Sequence, residues 1–299
     1  MVRYVTAGVD ESDESLAAAH FAAREAMRRG STLRLVHAWL PQPSPALEVE
    51  PTWRALAEQT LERAVRSVRA ARPELPLEEV LTGDSAVTAL LAAAEDSEVL
   101  VLGSRGLGPL TGFVVGSVSQ RVVARSPRPV VLVRAGETLV DEHLPAPDGI
   151  SPHEIPEIPY LDVVLGLDVG QPADEPIGFA FDAARRRGTV LRVIHAHRTP
   201  AHAAVGRTGT APEPEPLAEQ EQTLVAMLRP WREKFPDVPV TETVIEGRPA
   251  VELVHASARA CLVVVGRRTG EARLGAHVGS VVHALLHHAE CPVAVVPHA

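Results

Sequence analysis

Short apolar runs alternate with longer amphipathic stretches along the whole chain. The runs are rich in Val and Leu and have the length of buried parallel strands. The stretches between them carry apolar residues at helical spacing, and one such face includes Leu16, Ala19 and Ala23. In the first half the predicted strands are Tyr4–Val9, Leu33–Trp39, Leu77–Thr82, Val99–Leu102 and Val130–Val133. This order predicts an α/β fold with a parallel sheet covered by helices on both faces.

The second half of the chain repeats the first, beginning with a predicted strand at Leu161–Leu167. Three pairs of residues share an offset of 158: Asp168 with Asp10, Gly188 with Gly30, and His195 with His37. Three later pairs share an offset of 163: Gly266 with Gly103, Gly279 with Gly116, and Ser280 with Ser117. A period of about 160 residues is too long for a solenoid and indicates tandem domains. We assign residues 1–137 to the first domain, 138–159 to an extended, proline-rich linker and 160–299 to the second.

A glycine-rich loop follows the strand Val99–Leu102. Gly103, Gly106 and Gly116 precede Ser117, which opens a predicted helix. Glycines let backbone N–H groups approach an anion closely, and the N-terminus of a helix favours negative charge. The loop therefore predicts a phosphate-binding site, where Ser117 either caps the helix or donates its hydroxyl to the phosphate. The alternative interpretation is a loop of glycines that only forms a turn.

The spacing Gly-x2-Gly-x9-Gly-Ser resembles the nucleotide-binding signature of the universal stress protein family, in its actinobacterial type with two domains in one chain. The resemblance implies two Rossmann-like domains, each with a five-stranded parallel sheet of order 3-2-1-4-5. It also implies ATP, with Mg²⁺, at the switch point between strands 1 and 4. Carried over by position, the contact residues are Gly8, Val9, Asp10, Ala38, Leu102, Gly103, Gly106, Gly116, Ser117 and Val118 in the first domain, and Asp168, Ala196, Val265, Gly266, Gly279, Ser280 and Val281 in the second. The alternative role for Asp10 is a helix cap.

The second glycine loop departs from this pattern at one position. Thr269 occupies the place of Gly106, and Gly270 follows it. If that position needs a positive φ, a β-branched residue there costs about 1–3 kcal/mol, or the loop takes another path. The sequence therefore predicts that the second site binds nucleotide more weakly than the first.

Charge and composition exclude several classes of protein. The net charge of −9 disfavours binding to nucleic acid or an anionic membrane, because such surfaces attract basic proteins. The N-terminus runs directly into a strand, without the features of a signal peptide, so we expect a cytoplasmic protein. Two cysteines, Cys261 and Cys291, precede neighbouring strands; they are either reduced, buried thiols or a redox-formed bridge.

The sequence favours binding over catalysis. It contains no G-x-x-x-x-G-K-[ST] motif, and its single lysine, Lys234, is far from both glycine loops. His283 and His287 have the i, i+4 spacing of a zinc pair, but no third ligand accompanies them at motif spacing, so a surface helix is the preferred interpretation. His37 and His195 are interpreted as buried histidines bonded to backbone. No residue is predicted to be catalytic.

The resemblance, together with these observations, implies a nucleotide-dependent regulatory module of the stress response. Two alternatives remain: an interaction module without nucleotide, and a slow ATP hydrolase or adenylyl-transfer enzyme. The fifth strand of each domain lies at the margin of its sheet, and the resemblance implies pairing there. We expect the two strands to pair within the chain and two chains to form a homodimer through edge strands, with a protein client as a further partner.

Overall fold

One sheet runs through the molecule. The computed structural model describes residues 2–40, 50–104, 116–145, 155–198, 217–269 and 278–299. Within them the strands are β1 (Tyr4–Gly8), β2 (Thr32–Ala38), β3 (Leu77–Thr82), β4 (Ser97–Ser104), β5 (Val130–Arg134), β6 (Asp162–Gly166), β7 (Leu191–His197), β8 (Val240–Glu246), β9 (Ala260–Arg268) and β10 (Val293–His298). Their order is β3-β2-β1-β4-β5-β10-β9-β6-β7-β8. The predicted order 3-2-1-4-5 is confirmed in each half, as is the parallel pairing within it.

Helices cover both faces of the sheet. Those of the described residues are α1 (Asp13–Arg29), α2 (Glu50–Ala71), α3 (Ala86–Glu95), α4 (Ser117–Arg125), α5 (Asp174–Arg187), α6 (Leu217–Lys234), α7 (Pro249–Ser257) and α8 (Ser280–His288). Val99 and Val101 of β4 pack in one core layer with α1 and α2, whereas Leu100 and Leu102 pack in the other with α3 and α4. Alternate side chains of a strand point to opposite faces, which explains the continuous apolar runs. None of these helices is long and apolar enough to cross a membrane.

Strands β5 and β10 join the two halves. They pair antiparallel, with Val293 opposite Leu132 and Val295 opposite Val130, so the predicted pairing within the chain is confirmed. β5 also pairs with β4, and β10 with β9. Neither strand therefore offers a free edge to a second copy, and a homodimer through these strands is excluded by their occupancy. The homodimer itself stays a prediction that needs another surface.

The linker packs against the domains. We predicted an extended segment, and this is wrong for its described residues, 138–145 and 155–159. The two ends of the linker bond to each other, since Leu144 N donates to Pro159 O at 2.9 Å and His143 Nδ1 lies 2.5 Å from Ile158 O. Glu142 has no exposed surface. The pattern of apolar residues in the sequence could not predict this packing, because the buried residue of the linker is the charged Glu142.

Glu142 belongs to a buried cluster of charges between α1, α5 and the linker. Its carboxylate accepts hydrogen bonds from Arg24 Nε at 2.9 Å and from Arg28. Glu25 in turn bonds to Arg29 Nε at 2.7 Å and, across the two halves, to Arg187 Nη2 at 3.0 Å. Burial alone opposes the ionisation of Glu25 and Glu142, but the surrounding arginines outweigh it and lower the pKa of both.

The cysteines are free and buried. Burial raises the pKa of the Cys261 thiol to about 12 and raises that of Cys291 as well. The structure thus agrees with the first of the two alternatives, reduced and buried thiols, and both are held in the unreactive protonated form at neutral pH.

We predict that Glu142→Gln lowers the free energy of unfolding by about 3–5 kcal/mol, because it leaves buried arginines without their acidic partner. Urea denaturation at pH 7.5 measures the change. The matched control is Glu58→Gln, whose carboxylate pairs with Arg54 in an exposed position. We expect the control to change the free energy by no more than about 0.5 kcal/mol. Equal losses in the two variants would contradict this account of the cluster.

Glu137 has a raised pKa, whereas Glu25 and Glu142 have lowered ones, so it affects the pH dependence of stability with the opposite sign. Burial, followed by the nearby Asp141 and Glu142, raises its pKa to about 8. A carboxyl group whose pKa is higher in the folded state stabilises the fold below its unfolded value, about 4.5, and loses that contribution as the pH rises to about 8. We predict that Glu137→Gln raises the melting temperature by a gain that grows from pH 5 to pH 9. A gain that stays constant over this range, measured by thermal denaturation, would show that Glu137 does not titrate there.

Candidate functional site

A cavity of about 250 Å³ opens where the carboxyl ends of β1 and β4 diverge. Parallel α/β sheets place ligands at this position, where the strand order reverses. The cavity is lined by nine of the ten residues predicted for the first domain: Gly8, Val9, Asp10, Ala38, Leu102, Gly103, Gly116, Ser117 and Val118. The tenth, Gly106, lies outside the described residues. Two segments that are nearly a hundred residues apart in sequence therefore meet at one crevice.

Gly103, the second-last residue of β4, lies against the first turn of α1. A Cβ built on it would lie 2.6 Å from the carbonyl carbon of Glu14, closer than real side-chain atoms come to backbone. The absence of a side chain thus lets α1 approach the strand. The carbonyl of Gly103 accepts a hydrogen bond from Ser119 Oγ at 2.9 Å, which fixes the first turn of α4 against the end of β4.

The N-terminus of α4 faces the cavity with its backbone. Gly116 is the N-cap, and as a glycine it has no side chain to bond to the N–H groups of the first turn. The predicted capping role of Ser117 is therefore wrong, because the helix begins at Ser117 and the extended backbone that a cap requires belongs to Gly116. The N–H groups at a helix N-terminus are suited to an anion, and Ser117 is part of the cavity lining beside them.

Asp10 leads from β1 into α1. Its Oδ1 accepts from Ser12 N at 2.9 Å and from Ser12 Oγ at 2.5 Å, and Ser12 is the N-cap of α1. Asp10 thus acts next to the cap rather than as the cap, and its side chain remains exposed at the rim of the cavity. Nδ1 of His37 lies 2.7 Å from Val9 O, so the predicted bond of this histidine to backbone is confirmed.

The second half forms a corresponding cavity of about 570 Å³ between β6 and β9. Six of the seven predicted residues line it: Asp168, Ala196, Val265, Gly266, Gly279 and Val281. Ser280 does not; it lies in a groove between α4 and α8 instead. His195 Nδ1 is 3.0 Å from Leu167 O, the same bond to backbone that His37 makes in the first half.

Thr269 is tied to the end of β10. Its backbone N and its Oγ1 both donate to His298 O, at 2.7 and 2.8 Å. No residue other than glycine has a positive φ in the described part of the chain, so Thr269 keeps an ordinary backbone conformation. Gly270, which we considered as a substitute turn residue, lies outside the described residues.

Polar residues that the sequence did not single out distinguish the two cavities. Arg267, His197 and His298 line the second cavity, and the corresponding positions of the first half are Ser104, Trp39 and Ala135. The buried Nε2 of His197 has no hydrogen-bond partner among the described residues. The ring of His298 lies over Gly266, where a Cβ would be 2.7 Å from its Nε2. Comparing the repeat positions would have revealed these three substitutions.

The zinc pair that the sequence suggested was checked against the side chains of the described residues. There, no group of three or more His, Cys, Asp and Glu residues is placed to hold an ion. His283 and His287 do lie on one face of α8, with ring centroids 4.3 Å apart, and His283 is exposed at the surface.

We predict that Gly103→Ala lowers the free energy of unfolding by about 2 kcal/mol, because the new Cβ forces β4 and α1 apart. Gly116→Ala is the matched control. Its Cβ would have no atom of the described residues within 4 Å, and its φ of −55° suits any residue. Chemical denaturation of the two variants measures the difference, and a Gly103→Ala protein as stable as the control would show that the close approach is not needed.

Comparison with known proteins places the whole chain in one group. The model of the universal stress protein family matches residues 1–134 and 159–297. Universal stress protein Rv2005c of Mycobacterium tuberculosis is 33% identical over 303 residues, which cover 97% of this chain and 96% of that protein. Universal stress protein Rv2623 of the same species is 30% identical over 97% of this chain and 95% of its own length.

A solved structure has the same fold over its full length. The crystal structure of a universal stress protein from Archaeoglobus fulgidus covers 99% of this chain and 98% of its own, with a TM-score of 0.70. Only 17% of the aligned residues are identical, so this similarity concerns the fold alone.

Proposed function

Because the chain belongs to the universal stress protein family, we propose that it is a cytoplasmic regulatory protein of the stress response that binds ATP with Mg²⁺ in the cavity of each half. The observation that carries the proposal is the meeting of Asp10, Gly103 and the N-terminus of α4 around the first cavity. Backbone N–H groups of the helix suit the phosphates, and the carboxylate of Asp10 suits the ribose hydroxyls or an exocyclic amine.

The small residues of β2 and β7 favour a flat ring at the other end of each cavity. Ala38 and Ala196 line corresponding walls and leave room beside the backbone, while Leu102 and Val265 supply apolar contacts. Such a mixture of apolar walls and a few polar groups is typical of small-molecule sites. In the second cavity Nε2 of His197, which has no partner in the described part of the chain, is a further polar atom that a ligand would satisfy.

We propose binding without robust turnover. The Oδ1 atom of Asp10 is engaged by two donors of Ser12, and that of Asp168 accepts from Gly170 N at 3.0 Å. Both carboxylates therefore help to shape the turns that follow β1 and β6. His37 and His195, which line the same cavities, bond to backbone carbonyls through Nδ1. These contacts support roles in recognition and positioning more than in proton transfer.

We predict that Gly116→Val weakens ATP binding at the first site at least about ten-fold, because its side chain enters the space of the phosphates. Gly279→Val does the same at the second site, since its Cβ also has no described atom within 4 Å and its φ is −56°. Isothermal titration with ATP and Mg²⁺ measures each remaining site. The melting temperature of each nucleotide-free variant should match that of the wild type.

Three outcomes separate the alternatives. If the wild type carries no nucleotide after acid extraction and takes up none, the chain is an interaction module without nucleotide. If ADP accumulates at a rate that Gly116→Val abolishes, it is an ATP hydrolase. If the two single-site variants bind ATP equally well, the expected weakness of the second site, based on Thr269, is wrong.

A further inference from the structure

Arginines cross between the halves at the C-termini of α4 and α8. Arg267, near the end of β9, donates from Nη1 to Ala124 O at 3.1 Å and from Nη2 to Ser126 O at 2.6 Å. Arg134, the last residue of β5, donates from Nη1 to Ala289 O at 2.6 Å. Ser126 and Ala289 are the C-caps of α4 and α8. Each helix therefore ends against a cation that the other half supplies.

These contacts are well placed to stabilise the helices. The last carbonyls of a helix lack intrahelical donors and carry partial negative charge, so a cation there is favourable. Arg267 is only 8% exposed, and burial lowers the pKa of its guanidinium. A cation in such a desolvated position interacts with the carbonyl dipoles more strongly than it would in water.

The opposite end of each helix belongs to a cavity. The N-cap of α4, Gly116, and its first residues, Ser117 and Val118, line the first cavity. The helix extends only nine residues, about 13 Å, before it reaches Arg267. A phosphate at the N-terminus and a cation at the C-terminus both favour the same helical conformation. Each should therefore strengthen the binding of the other.

Arg267 and Arg134 do not occupy equivalent positions in the two repeats. At the offset of 163 residues that relates the glycine loops, the counterpart of Arg267 is Ser104 and that of Arg134 is Pro297. The two halves thus reach the same kind of contact from non-equivalent positions. A contact that arises twice from different residues points to a requirement that both helices share.

We propose that Arg267 and Arg134 are positioning residues for nucleotide binding, each serving the site of the opposite half. Arg267, although it also lines the second cavity, holds α4 for the phosphates of the first site, and Arg134 holds α8 for those of the second. This inference rests on the proposed function, because it requires a ligand with phosphate groups in the cavities. It adds that neither site is complete within its own half.

The test uses the full chain with the second site blocked by Gly279→Val, so that only the first site is measured. In this background we expect Arg267→Met to weaken ATP binding about five-fold and to leave the affinity for adenosine, which has no phosphate, unchanged. The matched control is Arg232→Met, because exposed Arg232 also donates to a backbone carbonyl, Val240 O at 3.2 Å, and neither residue lines either cavity. It should alter neither affinity. With Gly116→Val instead, Arg134→Met should weaken ATP binding at the second site in the same selective way.

The comparison of ATP with adenosine separates positioning from general structural support. Equal weakening of both ligands by Arg267→Met, or no weakening of either, would overturn the inference. If Arg267→Met does not fold, Arg267→Lys replaces it; a lysine keeps the charge without the two-pronged contact, and we expect a selective loss of about two-fold. If Arg267→Lys does not weaken ATP binding more than adenosine binding, the inference is overturned as well. Failure of the Gly279→Val chain to bind either ligand would instead contradict the proposed function.

Discussion

The pairing of β5 with β10 is the constraint on which the rest of the structure depends. Each strand ends a five-stranded sheet, and an unpaired edge of apolar residues invites association with another chain. Val130–Arg134 and Val293–His298 satisfy each other's backbone groups and merge the sheets. The remaining outer strands are β3 and β8. They carry acidic residues, among them Glu78, Glu79 and Glu242, and charge of this kind discourages further strand addition.

Arginine secures this junction on both faces of the sheet. On the face of α1 and α5, Arg187 reaches Glu25, and Glu142 of the linker is enclosed by Arg24 and Arg28. On the face of α4 and α8, the contacts instead run from side chains to helix carbonyls. Guanidinium groups suit both environments, because they offer several donors in a fixed plane and stay charged when buried.

The sequence predicted much of this architecture because its signals are local. Apolar periodicity located the strands, and Gly30 ends α1 in the left-handed conformation that only glycine adopts readily, with a φ of 63°. Both halves have the predicted strand order, and fifteen of the seventeen predicted site residues line the two cavities. The resemblance to a family supplied that list, since spacing alone does not identify a ligand.

What could not be predicted depends on how distant segments meet. The burial of Glu142 requires knowing that α1 presents Arg24 and Arg28 to the linker. The contact between Arg267 and the end of α4 joins residues more than 140 positions apart. For Ser117 the sequence left two roles open, a helix cap or a donor to phosphate. The structure gives the cap position to Gly116, which the local sequence does not favour because serine is the commoner cap.

The antiparallel join also determines where the two cavities face. Within each half the strands are parallel, and each cavity lies at their carboxyl ends. Because β5 and β10 run in opposite directions, these ends lie at opposite margins of the continuous sheet. The two cavities therefore open on opposite sides of the molecule. Two binding partners, each recognising one pocket, would approach from opposite sides without a steric clash, as they would on a bivalent adaptor.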